Sequence, residues 1–173
     1  MYSFYGTISE ANEYFMHRLH ESAWSDSSPD DRRKALIRAT ALIDRLNFKG
    51  EKAAVYALMH ADGTERRPTP AERREAEVSQ ELEFPRGTDT EVPQEIKIAC
   101  WELSHALLDG IDPDLEIDNL GVVSQGIVSV RTTYSREQTQ NEHILHGIVS
   151  ASAWRYLRPF LRDGGIIKLS RVD

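Results

Sequence analysis

The sequence predicts a mainly-α protein, a small bundle of about four core helices that carries a β-ribbon or hairpin, a charged helical arm and an extended C-terminal tail. Three observations predict it. Residues 28–50 and 93–110 each repeat apolar side chains at helical spacing between recognisable start and stop residues. Residues 122–134, VVSQGIVSVRTTY, are β-branched and partly alternating, which is strand character. Between these, residues 51–80 are charged and turn-rich with little apolar face, so they read as an inserted or protruding arm on a single domain spanning 1–173.

Taken in order, Thr7 and Glu10 have capping-box spacing, and Ala11, Tyr14, Phe15 and Leu19 form an apolar stripe opposite Glu10, Glu13, His17 and Glu21. Trp24, in the polar connection that follows, is expected to close one end of the core. Ser28 then supplies an N-cap, Pro29 suits the first helical position, and Leu36, Ala39, Ile43 and Leu46 face the core while Lys34, Arg38, Ala41 and Arg45 face water. Gly50 tolerates the left-handed conformation that ends such a segment.

In the arm, ADGTERRPTP is a turn and AERREAEVSQ a charged helix. Arg66, Arg67, Arg73 and Arg74 are interleaved with Glu65, Glu72, Glu75 and Glu77, which favours a salt-bridged surface over a phosphate strip. LEFPR at 82–86 is extended, because Phe84 precedes proline. Pro93 opens the second strong helix, whose face is Ile96, Ala99, Cys100, Leu103, Ala106 and Leu107, with His105 toward the polar side near Glu102 and Asp109; Gly110 stops it. IDPDLEIDNLG reads as an acidic, irregular connection without the glycine and glutamate spacing of a calcium hand. Near the end, ILHGIVSASAWRYLRPFL resumes helical spacing through Leu145, Ile148, Val149, Ser152 and Tyr156 until Pro159. Residues 164–173 follow as a short apolar tail.

Composition narrows the function classes. The 173 residues carry a formal net charge of −7, which weighs against nucleic-acid binding through bulk electrostatics. The single Cys100 excludes an internal disulfide framework and a cysteine zinc cluster, and its place on an apolar face predicts an inert core thiol. The chain opens without a leader pattern, and no stretch reaches the ~18 apolar residues of a membrane span, so a soluble protein inside a cell is expected, with no membrane partner. His17 with His20, and His143 with His146, are spaced for one helix face but lack the carboxylates of a metal-hydrolase motif. No catalytic or cofactor fingerprint is present, which predicts a protein that is not an enzyme and takes no cofactor. An unpaired ribbon edge and an apolar tail invite another chain. The expected interface residues are Val122, Val128, Val130 and Tyr134 in the ribbon and Ile166, Ile167, Leu169 and Arg171 in the tail.

The order of short signatures, TISEANEYF, KALIRATALIDRLNFKG, LEFPRG, EVPQEIKIACWELSHALL and VVSQGIVSVRTTY, resembles the head-tail connector, or adaptor, proteins of tailed phages. It is also similar to a group labelled DnaT-like single-stranded-DNA-binding proteins. Two features depart from the pattern: the long 51–80 segment, and Phe84 where such proteins often carry tryptophan before the proline. The resemblance implies a structural virion protein that assembles in the host cytoplasm as a ring, usually of twelve copies, at the neck. Its partners would be the portal protein above, a stopper, neck or tail-terminator protein below, and other copies of itself, with DNA passing through unbound. The alternative it implies is a single-stranded-DNA-binding replication accessory. A metal hydrolase built on the histidine pairs is a third expectation to test.

Overall fold

The computed structural model describes residues 3–61, 66–120, 124–127, 130–133 and 142–162. Its architecture is mainly α, a small helical bundle. Helix α1 is Ile8–Met16, α2 Ser22–Ser25, α3 Pro29–Ile43, α4 Ala53–Met59, α5 Pro70–Ser79, α6 Gln94–Leu108, α7 Pro113–Asn119, α8 Glu142–Leu145 and α9 Ala151–Leu157, followed by a 3-10 turn at Arg158–Phe160. The backbone of Ser124–Ile127 (β1) pairs antiparallel with Val130–Thr133 (β2), with Ser124 opposite Thr133 and Ile127 opposite Val130.

The centre is the packing of α3 against α6, and α9 also packs on α6. Both central helices have 15 residues, about 22 Å at the α-helical rise. Ser28 caps α3 by accepting from the Asp31 N–H at 3.1 Å, and Asp30 and Asp31 sit where carboxylates oppose the helix dipole. Leu36, Ala39, Ile43 and Leu46 are all buried, as their spacing requires. Helix α6 delivers Ile96, Ala99, Cys100, Leu103 and Ala106 to the same core. It ends as its glycine dictates: Gly110 has φ +87°, its N–H donates to Leu107 O, and the Ile111 N–H donates to Ala106 O.

Aromatic side chains close both ends of this core. Trp24 stacks on Phe15 at 4.7 Å and donates through Nε1 to Asn12 Oδ1 at 2.9 Å. At the other end Phe84 meets Tyr5, Phe48 and Phe160 edge-on, with centroids 6.1, 4.7 and 5.6 Å away. An antiparallel bridge from Phe48 to Leu161 ties the segment after α3 to the turn after α9.

Three expectations are corrected. Residues 113–119 are helix, because Asp112 caps the Asp114 N–H at 3.0 Å and Pro113 occupies the first turn, so the acidic stretch is not an irregular connection. The segment from Ile144 is not one helix. Gly147 at φ +76° ends α8, with its N–H on Ile144 O and the Ile148 N–H on His143 O, and Ser150 starts α9 afresh by capping Ala153. This break turns Leu145 outward, and Tyr156 is partly exposed. Leu19 lies beyond the end of α1 and is 82 % exposed, so it is not part of the apolar stripe. The tail at 164–173 lies outside the described residues.

Candidate functional site

The charged excursion begins and ends on the bundle at one joint. Thr69 and Glu72 form a reciprocal capping box that fixes the start of α5, and α5 packs against α4 while contributing no buried side chain. Gln80, just past α5, is the clasp. Its Oε1 accepts from the Ala54 N–H at 3.1 Å, and its Nε2 donates to Leu82 O and Pro85 O at 3.0 and 2.9 Å. Lys52 Nζ reaches both Gln80 O at 3.1 Å and Glu83 Oε1 at 3.2 Å. Arg73 bridges two carboxylates, Glu51 at 2.5 Å and Glu77 at 2.9 Å.

These groups enclose a cleft of about 350 Å³ whose lining includes Asp44, Glu51, Lys52, Arg73, Glu83, Arg86 and Arg162. Arg86 holds its floor. It donates to Lys49 O at 2.9 Å and Gly50 O at 2.6 Å, pairs with Glu83 at 2.6 Å, and lies over the rings of Phe48 and Phe84. Asp44, at the end of α3, accepts from the Tyr5 hydroxyl. Burial, helped by the Glu83 charge, pushes the Asp44 carboxyl up to about 6 against the pull of Tyr5 and Lys52. Burial, with Asp44 adjoining, raises the Tyr5 phenol far above its ordinary range.

A second concavity, about 630 Å³, lies at the start of α5 and is lined by Met59, Arg66, Arg67, Pro68, Pro70 and Arg73. Arg66 is positioned by Leu58 O at 3.3 Å and Glu72 at 3.1 Å. Among the described residues Arg67 has no carboxylate partner.

Glu102 makes a buried ionic cluster that the sequence reading missed. Its carboxylate receives Arg18 Nε at 2.7 Å, Arg18 Nη2 at 3.0 Å and the Tyr14 hydroxyl at 2.6 Å. Burial raises the Glu102 carboxyl, but the Arg18 and Tyr14 hydrogen bonds outweigh it and hold it below the ordinary range. His105 stacks on Phe15 at 5.6 Å, and burial together with the Arg18 charge lowers its imidazole. The signal was present in the sequence. Glu102 follows Ala99 by three residues and precedes Ala106 by four, so it lies on the buried stripe and needs a cation.

Of the expected interface residues, Val122, Val128, Tyr134, Ile166, Ile167, Leu169 and Arg171 lie outside the described residues, and Val130 is described through its backbone in β2 alone. His17 caps the end of α1 and His20 has φ +56°. His146 stacks on Trp154 at 5.3 Å, an apolar role for one member of the second histidine pair. Among the described residues no group of three or more His, Cys, Asp or Glu side chains is placed to hold a metal ion. Cys100 is buried, touches Thr40 Oγ1 at 3.4 Å, and burial pushes its thiol up to about 11. No helix among the described residues is long and apolar enough to cross a membrane. Comparisons with protein-family models, curated proteins and solved structures find no match to this chain.

Proposed function

We propose that the chain is a head-tail connector of a tailed phage, a ring-forming adaptor that joins the portal to the tail-side neck proteins and lets DNA pass without gripping it. One observation supports this reading: four of the five segments that bear the resemblance interlock in the bundle. Tyr14, from the first signature, bonds Glu102 in the fourth at 2.6 Å. Leu36 O and Thr40, from the second, contact Cys100 in the fourth at 3.7 and 3.4 Å. Phe84 and Arg86, from the third, pack on Phe48 and bond Lys49 O and Gly50 O in the second. These four signatures therefore correspond to core architecture rather than to scattered surface words. The net charge of −7 suits a conduit, because fixed positive charge would bind phosphate through counterion release.

The test is to mix the purified chain with the portal protein of the same phage and image the product by electron microscopy. A ring of this chain on the portal is expected, together with loss of attachment when residues 166–173 are deleted and the helical circular dichroism is retained. No co-migration at any ratio sinks the connector reading. Single-stranded-DNA binding is the rival, and the pairing of Arg66 and Arg73 with Glu72, Glu51 and Glu77 weighs against it. A low-salt gel shift showing salt-dependent binding would favour that rival instead.

A further inference from the structure

We infer that the groove at the start of α5 receives α7 of a second copy of this chain. The inference rests on the connector reading for its biological setting and on charge and shape for its content. The groove presents Arg66 and Arg67 over an apolar lining of Met59, Pro68 and Pro70. The two prolines fix their own φ angles, so part of the wall is rigid before anything binds. Arg66 is tethered through Leu58 O and Glu72, which aims its guanidinium without burying it. Arg66, paired with Glu72, and Arg73, bridged to Glu51 and Glu77, are already compensated and form the wall, which leaves Arg67, without a carboxylate partner among the described residues, as the main attraction.

Helix α7 has the complementary chemistry. Asp114, Leu115, Ile117 and Asp118 are all exposed, so two carboxylates and two large apolar side chains share one short helix. Pro113–Asn119 contains no basic residue. Among the described residues its ion-pair partner is Arg38, 4.0 Å from Asp114 with both side chains largely in water, a pair worth little to either group. Leu115 and Ile117 are two residues apart and lie at opposite edges of the exposed face, with Asp114 and Asp118 between them. Leu115, beside Asp118, therefore enters the apolar groove while the carboxylates meet the arginine, and its burial supplies the hydrophobic gain that charge pairing alone lacks.

Topology keeps the two surfaces apart. The arm springs from the C-terminal end of α3, where Asp44 and Glu51 line the joint. Helix α7 follows the C-terminal end of α6, whose Leu107 and Leu108 lie beside Ala35 and Arg38 nearer the start of α3. Two different surfaces on one chain make a head-to-tail contact, which propagates and closes into a ring when the rotation per copy allows.

The test is sedimentation velocity of the full chain at low and high salt, with Arg67→Glu, with Asp114→Lys/Asp118→Lys, and with both sets in one chain. Salt-sensitive self-association is expected for the wild type and at least about tenfold weaker association for either single set. Mixing the two variants, or combining both sets in one chain, should restore association, because each reversed surface then meets its complement. That rescue separates lost contact from lost folding, and circular dichroism of each variant checks the fold directly. Wild-type association indifferent to all the substitutions would overturn the inference while leaving the connector reading intact. A wild type that stays monomeric at every concentration and salt would also overturn it, and portal binding would then decide the connector reading separately.

Discussion

Arg18 Nε and Nη2 lie 2.7 and 3.0 Å from the two carboxylate oxygens of Glu102, a fork that ties the loop after α1 to the middle of α6. The same guanidinium donates to His20 O at 2.8 Å, so one side chain fixes both a buried charge and the left-handed turn beside it. Removing it leaves the Glu102 carboxylate, 5 % exposed, without its cation. Arg18→Ala should therefore cost about 2–3 kcal/mol in urea unfolding. Loss of stability on acidification should also shift, since a carboxyl held below its ordinary value of 4.5 contributes stability above that pH and loses it as pH falls through the folded value. A variant as stable as the wild type, with the same acid limb, would refute the role.

Gly6 and Gly50 share a left-handed backbone, φ +75° and +71°, but not their surroundings. A Cβ at Gly6 would meet Trp101 Nε1 and Cζ2 at 3.0 Å, whereas one at Gly50 meets nothing within 4 Å. Gly50→Ala should cost about 1 kcal/mol, the conformational term alone. Gly6→Ala should cost about 2 kcal/mol or more, because the indole has no room to retreat in the core. Thermal melts of the two variants side by side give the comparison, and equal losses would show that Trp101 moves aside.

Cys100 is fully buried and its thiol is pushed up to about 11 by that burial. A thiol reagent acts on the thiolate, so labelling in the native state requires both opening and ionisation. Modification at neutral pH should be slowed in proportion to the small population of the open form and become complete on adding denaturant, as read by mass spectrometry. Rapid stoichiometric labelling of the folded protein would contradict this packing.

The parts of this architecture written in local signals were legible in the sequence. Ser28 with Pro29, Thr7 with Glu10, and Gly110 each mark a helix end through bonds within a few residues, and the structure uses all three. Asp112 and Pro113 are the same kind of signal, yet the acids after them read as a loop because so short a helix shows no apolar period. The break at Gly147 was hidden for the opposite reason, since an apolar stripe runs across the glycine whose positive φ ends the helix. The arm joint and the Glu102 cluster depend on partners far apart in the chain; Arg18 and Glu102 are separated by 84 residues. Periodicity carries no information about which distant cation a buried carboxylate will find.

Asp44 offers the last test, through pH. Burial and the neighbouring Glu83 raise its carboxyl from 3.8 to about 6, so the folded state holds this proton more tightly than the unfolded chain. The sign follows from that difference: the contribution of Asp44 to stability is fully present below about pH 4 and is lost as pH rises through about 6. Replacing it with asparagine removes the titration while keeping an acceptor for the Tyr5 hydroxyl. The stability difference between wild type and Asp44→Asn should thus drift in favour of asparagine between pH 4 and 6.5 and flatten above, in urea titrations at fixed ionic strength. A drift of the opposite sign would mean that Lys52 and Tyr5, rather than burial and Glu83, dominate at this end of α3.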